Sequence, residues 1–436
     1  MKKNVFIIFA AAVIFGSFFA FCFPHPLDRG DTVDYDTIGW NIAQGRGFSL
    51  SAKAPFAPTM FREPVYPYFL GAVYRIFGHS YNVVRFFQVI LFGLTAVTVF
   101  LAARAVFDEK TAKYSGLFTA LCPTLANYPS YILSETLFVF IAVALVLSLV
   151  YAVKKGFYRW FIVSALFSAM AVLCKASMVF FPVAAACVLL LLKTDVKRVA
   201  IFFILFAAVV SPWSLRNKIL FGTPSVSLRA GIALWDRAEK LDYGPTEAGA
   251  QVVYNFSEYL GRKFFPGAGI EGENFTMQGS KEANMKFDEL VGLGMSQAAA
   301  DNYMKKASLA KIKSAPFKYA AQCPVEFMKM LSFLYVPMLN EYHVIEFFDK
   351  TPGGGIIIAA ARAVFRILSY LVFLAAVFGM YLKRGSIKSW IFLLLIIVYI
   401  NGINSLVFGF GRYAVPLIPF YLMFAVYYIR QARHGF

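Results

Sequence analysis

The chain has 436 residues, of which 59 % are hydrophobic and only 15 % charged, with a mean hydropathy of +0.64. Soluble domains run at roughly 45–50 % apolar and about 25 % charged, so a disordered chain and an ordinary water-soluble enzyme are both excluded. The 42 basic and 24 acidic residues leave a net charge of +18, which in so apolar a chain reads as cationic loops beside anionic headgroups, with no nucleic-acid partner.

The first apolar run, Val5 to Phe23, follows Lys2 and Lys3. Signal-peptide cleavage needs small residues, and this run ends in Phe21, Cys22 and Phe23, with a bulky residue before the cysteine where a lipoprotein would carry a small one. The run therefore predicts an uncleaved first transmembrane helix with its N-terminus cytoplasmic. The loop that follows, 24–81, carries two amphipathic segments, Asp34 to Gly45 and Pro64 to Phe77. In the second, Val65, Tyr68, Phe69, Ala72, Val73 and Ile76 recur at helical spacing, as in a helix lying in the membrane interface.

Further runs cover about Val83 to Phe107, Tyr114 to Asn127, Thr136 to Val153, Phe157 to Cys174, Met178 to Leu192 and Val199 to Trp213. Three of these are only about 15 residues long, well short of the roughly 20 a straight crossing needs. A second long stretch, from Ser214 to about Gly355, collects polar residues and predicts a small solvated subdomain ending in an apolar interfacial or re-entrant segment, Pro324 to Leu339. The last runs are Ile356 to Leu382, Trp390 to Phe408 and Tyr413 to Ile429. Together these predict an all-α polytopic membrane protein of about ten transmembrane helices. It divides into an N-terminal module (1–213), an extracytoplasmic loop region (214–355) and C-terminal helices (356–436).

Alternate connections hold Lys110 and Lys113; Lys154, Lys155 and Arg159; Lys193, Lys197 and Arg198; Lys383, Arg384 and Lys388; and Arg430 and Arg433. By the positive-inside rule all lie on the side of Lys2 and Lys3, so both termini are expected to be cytoplasmic. The five cysteines show neither metal-ligand spacing nor a disulfide framework. His25, His79, His343 and His434 are scattered, which predicts no metal site. Asn255 with Ser257, and Asn274 with Thr276, match the glycosylation sequon.

Ionisable residues near membrane depth are functional candidates by default. On this topology Asp31, Asp34, Asp36, Arg62, Glu63, Glu135, Lys175, Arg216 and Arg412 all fall at the outer boundary, so carboxylates able to act as bases share one face with cations able to bind phosphate. Plainer roles stand beside these. Asp34 and Asp36 also read as helix N-terminal charges, Lys175 as a snorkelling end residue, and Glu135, after Ser134, as part of a cap.

Four stretches resemble one family. Asp31, Tyr35 and Gly39, with Trp40, Asn41, Gly45 and Gly47, resemble the first-loop signature of GT-C glycosyltransferases of the protein O-mannosyltransferase and lipid A aminoarabinose transferase type. There an Asp precedes a Tyr by four residues and a small residue follows four later. Arg62 to Pro67, with Phe77 and Gly78, is similar to the family's second loop helix. Ser211 to Asn217, with Phe221 and Gly222, and Gly411 to Pro419 are similar to its seventh-helix exit and last-helix entry.

The resemblance implies a GT-C-like glycosyltransferase of the cell envelope, multi-pass in a bacterial or archaeal membrane, that takes a sugar from a polyprenyl-phosphate donor on the outer side. The acceptor would be a glycan, lipid or protein. It implies Asp31, as general base, and Glu135 as catalytic carboxylates, and Arg62 and Arg412, with Arg216, as phosphate ligands. Tyr35, Asp34, Asp36, Glu63 and Lys175 are secondary candidates. Some relatives hold a divalent metal through a Glu and a loop His. Here Phe61 precedes Arg62 and no His occurs from Asn217 to Asn340, so a divalent metal stays open but unsupported, with Glu63 the residue that would substitute as its ligand. The competing reading is a polytopic transporter of an anionic or lipid-linked solute, which predicts broken mid-membrane helices and paired halves; the sequence has neither.

Overall fold

The computed structural model describes residues 1–25, 30–256, 258–266, 274–336 and 354–433. His343, His434, Ser257 of the first sequon and the end of the Pro324 to Leu339 segment lie outside them. Among the described residues there is no strand, only an isolated bridge between Ser49 and Pro58; everything else regular is helix.

Among the described residues six helices are long and apolar enough to cross a bilayer: α1 (Lys2–Cys22), α4 (Tyr81–Val106), α7 (Glu135–Lys155), α10 (Val196–Phe221), α17 (Gly354–Leu382) and α20 (Ile418–Arg433), the last together with the turn before it. Three shorter apolar helices, α8 (Tyr158–Cys174), α9 (Phe181–Leu191) and α18 (Ile391–Val407), complete most of the set. The predicted run from Tyr114 to Asn127 is not one helix. It is split into α5 (Glu109–Ala120) and α6 (Pro123–Asn127), broken ahead of Pro123, whose ring cannot continue a helix interior. The split pair still carries the chain from one end of the bundle to the other, since α4 ends at one and α7 begins at the opposite.

Helix ends sort by charge. Lys2, Arg104, Lys154, Lys155, Lys383 and Arg430 share one end, where Arg104 meets Glu109 at 2.8 Å and Arg430 pairs with Asp108. The first-loop helices and the large loop are at the other. In α7 78 % of the apolar window is buried in protein, against 17 % in α10 and in α17, so α7 is the central post and the other two face lipid. Small residues allow close approach. A Cβ at Gly93 of α4 would come within 2.8 Å of the Phe9 ring of α1.

In the first loop, α2 (Asp31–Ala43) and α3 (Val65–Phe77) pack side by side and run in the same direction, Tyr35 meeting Tyr66 near one end and Ala43 meeting Arg75 near the other. Gly39 sits against Leu70, and Gly71 against Ile42, so tightly that a Cβ at either would lie 2.6 Å from a side-chain carbon. The large loop is helical: α11 (Ala230–Glu239), α12 (Pro245–Phe256), α13 (Glu258–Phe264), α14 (Asn274–Gly292), α15 (Gln297–Ser314) and α16 (Pro316–Met330). Its small core gathers Ile232, Phe287, Leu290, Ala300 and Met304, and Phe61 of the first loop packs onto it.

Candidate functional site

α2 begins at Asp31, earlier than the periodicity predicted, after Gly30 at φ 69°. Asp31 and Asp34 fall in its first turn, one helical turn apart on one face. Neither Asp34 nor Asp36 acts as a helix-capping residue. Asp34 Oδ2 accepts from Arg62 Nε (3.0 Å) and Nη2 (2.6 Å), and Arg62 Nη2 also donates to Asp31 Oδ1 at 2.5 Å. The Arg62 guanidinium, with its side chain 6 % exposed, lies 5.2 Å over the Tyr35 ring. A buried arginine must be paired, and two carboxylates on one helix face meet that need.

Arg412 belongs to a short turn of helix, α19 (Gly411–Ala414), at the entry to α20. Its Nη1 stands 3.1 Å from Asp31 Oδ2, and its Nε donates to Glu135 Oε1 at 2.6 Å. Lys175, between α8 and α9, turns inward and reaches the same Glu135 oxygen at 3.2 Å. Ser134 does not cap α7 with its side chain; its Oγ lies 3.4 Å from the Tyr35 hydroxyl. The result is a continuous chain of ion pairs, Asp34, Arg62, Asp31, Arg412, Glu135 and Lys175, drawn from α2, the second loop segment, α19, α7 and the α8–α9 turn.

Glu63 lies beside this chain, its Oε1 accepting from Ala176 N (3.3 Å) and Ser227 Oγ (3.0 Å). Arg216 and Asp36 have other partners. Arg216 donates to Thr59 O at 3.0 Å and to Asn217 Oδ1 at 2.7 Å, with its guanidinium 4.6 Å over Trp213, so it holds the first-loop backbone. Asp36 accepts from the hydroxyls of Tyr74 (2.7 Å) and Tyr81 (3.1 Å) and stands 2.8 Å from His79 Nε2, tying α2 to α3 and α4.

Burial by itself raises the Asp31 carboxyl, but Arg62 and Arg412, with Arg229 and Lys175 farther off, outweigh it and hold Asp31 well below the usual carboxylate range. Burial pushes the Tyr35 hydroxyl up to about 12, so it stays protonated. Behind Glu135 is a small cavity lined by Thr95, Tyr128 and Thr136 among others. Glu135 Oε2 and Thr136 Oγ1 are buried beside it with no partner among the described residues.

Sequence reasoning named Ser134 only as a helix cap and did not single out Ser227 or Arg229. Nor did it single out the paired hydroxyls of Tyr128 and Tyr335, 2.5 Å apart and 207 residues apart in sequence. Nothing in local spacing marks such residues. No three or more His, Cys, Asp or Glu side chains converge into a metal-binding group among the described residues.

Residues 58–215 match the sequence profile of the dolichyl-phosphate-mannose-protein mannosyltransferase family. That stretch includes Arg62, Glu63, Glu135 and Lys175 and is less than half of the chain. Comparison with curated proteins gives no match. Among solved structures, the apo oligosaccharyltransferase of Archaeoglobus fulgidus is similar with a TM-score of 0.52 at 15 % identity, over 97 % of this chain and 50 % of that one. The same organism's oligosaccharyltransferase AglB, in complex with an inhibitory peptide and a dolichol-phosphate, aligns at 0.50 and 16 % identity, over 97 % and 50 %. ArnT from Cupriavidus metallidurans bound to undecaprenyl phosphate aligns at 0.42 and 14 % identity, over 98 % and 77 %. The chain thus has the GT-C fold and is an integral, multi-pass membrane protein. It spans about half the length of the oligosaccharyltransferase it matches.

Proposed function

We propose that the chain is a membrane glycosyltransferase that moves a sugar from a polyprenyl-phosphate donor to an acceptor hydroxyl or amine on the extracytoplasmic side, with both termini in the cytoplasm. The observation that carries this reading is the convergence of Arg62 and Arg412 on Asp31 at the loop end of a GT-C bundle. The basic residues at the opposite end support the orientation. A division into an N-terminal module, a loop region and C-terminal helices is part of the same reading.

A sugar on a lipid phosphate already carries its leaving group. The protein has two tasks: to take a proton from the acceptor, and to hold the phosphate that departs. Asp31 between two guanidiniums is a weak base as it stands. When the donor phosphate is placed against Arg62 and Arg412, its charge offsets the positive field that depresses Asp31, and the carboxylate regains basicity. The acceptor proton then passes to Asp31, the acceptor atom bonds to the anomeric carbon, and the bond from that carbon to the phosphate oxygen breaks. The electron pair leaves with the polyprenyl phosphate, whose added negative charge Arg62 and Arg412 meet with forked donors. Glu135, itself held by Lys175, keeps Arg412 in place.

The test is donor binding and transfer by the full chain in lipid nanodiscs, with the lipid-linked sugars and envelope glycans of cells lacking the protein identified by mass spectrometry. Arg412→Lys keeps the charge but loses the fork, so it should weaken undecaprenyl-phosphate binding, and Arg412→Ala should weaken it further. Unchanged affinity in a folded Arg412→Ala protein removes this residue from the site.

A further inference from the structure

The turn that presents Arg412 is gripped by the large loop. Glu326 of α16, 1 % exposed, accepts at Oε2 from the backbone N of Gly409 at 2.7 Å, three residues before Arg412. Its other oxygen accepts from Lys329 Nζ at 2.7 Å, and Lys240 Nζ stands 3.8 Å away. Lys240 in turn donates to Asp236 Oδ2 of α11 at 2.6 Å. The Phe408 ring, next in the same turn, has Lys240 at 4.4 Å and Lys329 at 5.6 Å from its centroid.

The backbones are as close as the side chains. A Cβ at Gly409 would lie 2.0 Å from Glu326 O, and one at Gly411 would lie 2.7 Å from Ser332 O. Tyr319 of α16 adds a hydrogen bond to Leu406 O at 2.6 Å. Burying two lysines and two carboxylates costs free energy that apolar side chains of similar size would not. The return here is directional: one carboxylate oxygen aimed at one amide fixes where the turn starts.

The same loop also holds the first-loop segment that carries Arg62. Leu228 N donates to Met60 O at 3.1 Å, Ser227 Oγ to Glu63, and Phe61 packs on Phe287. The described loop therefore grips the backbone beside both arginines.

We infer that Glu326 is a positioning residue for Arg412, and that the charged cluster of Asp236, Lys240, Glu326 and Lys329 lets the large loop set the placement of Arg412 against Arg62. The inference rests on reading Arg412 as a donor-phosphate ligand. Glu326 touches neither the ion-pair chain nor the reacting atoms; it acts through the Phe408 to Gly411 turn.

A four-protein cycle tests it: wild type, Gly409→Ala, Arg412→Ala and the double variant, as full chains in lipid nanodiscs, with undecaprenyl phosphate as the probe. The added methyl of Gly409→Ala must push the turn away from Glu326, and displacement of a bidentate ligand by about an ångström costs on the order of tenfold to a hundredfold. We expect Gly409→Ala to weaken binding by about that factor, to leave the acceptor KM unchanged, and to have no further effect once Arg412 is Ala.

Unchanged binding in Gly409→Ala, or equal losses in the two backgrounds, overturns the positioning role and leaves Arg412 as a phosphate ligand. If Arg412→Ala alone binds like wild type, the phosphate-ligand reading fails first and takes the positioning role with it. Where Gly409→Ala does not fold, as read by its melting temperature, the milder Phe408→Leu carries the same cycle. It removes the ring between the two lysines, and its smaller loss must likewise vanish without Arg412.

Discussion

Asp31 and Asp36 lie five residues apart on one helix and meet different partners. Asp31 faces two guanidiniums and keeps 29 % side-chain exposure, so an acceptor can reach it. Asp36 faces two tyrosine hydroxyls and a histidine and works as a tie between helices. Asn keeps the shape of Asp and removes its basicity, so the two substitutions should separate cleanly. Asp31→Asn should lower the transfer rate by about 10² to 10⁴, the usual cost of a lost general base, and also lower the melting temperature, since Arg62 and Arg412 each lose a carboxylate partner. Asp36→Asn should cost stability alone, since its amide cannot accept at both ends from Tyr74 and Tyr81. A few degrees of lost thermal stability with a largely retained rate is the expected result. Near-normal transfer by Asp31→Asn would assign the base to another carboxylate, with Asp34 or Glu135 next in line.

At the scale of elements, the contact between α5 and α20 at the basic end of the bundle turns on one residue. Asp108 caps α5, accepting from the backbone N of Lys110 and Thr111, and pairs with Arg430 of α20. Burial raises its carboxyl, but the hydroxyl and amide of Thr111 and the Arg430 guanidinium outweigh that and bring it down to about 2. The ordinary value is about 4. A folded value below the unfolded one means that the stabilisation is complete above about pH 4 and is lost as the pH falls toward 2. Asp108→Ala should therefore cost roughly 1 kcal/mol of cap at neutral pH. The gap in melting temperature between wild type and variant should be level from pH 5 to 8 and narrow in acid. A gap that widens in acid would contradict the assignment. The helix pair α2 and α3 shows what periodicity could give. The apolar repeat from Val65 to Ile76 marked α3, whereas the start of α2 at Asp31 was hidden, because nothing local distinguishes an aspartate that begins a helix from one that precedes it.

For the whole molecule, labelling tests the orientation. In a cysteine-free background, cysteines at Lys155 and Arg384 should be shielded from an impermeant thiol reagent in intact cells, and one at Lys53 should react. Labelling at Arg384 with none at Lys53 would invert the bundle. The bundle itself was largely legible, since lipid leaves the backbone no partners but its own and so imposes long apolar runs with basic residues at alternate turns. The break between α5 and α6 was visible only as a run that is too short. The ion-pair chain was legible in part: its members were placed at one boundary, but their pairing was not. Glu135 and Arg412 are 277 residues apart, Lys175 and Glu135 are 40 apart, and only tertiary packing brings them into contact. The charges of Glu326 and Lys329 were passed over for the same reason: their use depends on Gly409, 83 residues on from Glu326.

On the proposed function, that chain of ion pairs bears on how a lipid-phosphate donor arrives. Asp31, Asp34 and Glu135 balance Arg62, Arg412 and Lys175 one for one, so the unliganded site projects little field beyond its own walls. Charged clefts that steer ligands over long range lose their advantage as salt shortens the Debye length, which is about 10 Å at 0.1 M and 3 Å at 1 M. A cleft whose charges cancel has no such advantage to lose. Donor capture should then depend on lateral diffusion of the lipid within the bilayer, and kcat/KM for the donor should stay level as sodium chloride is raised from about 0.05 to 0.5 M. A steep decline would mean that uncompensated positive charge lies along the lipid's path.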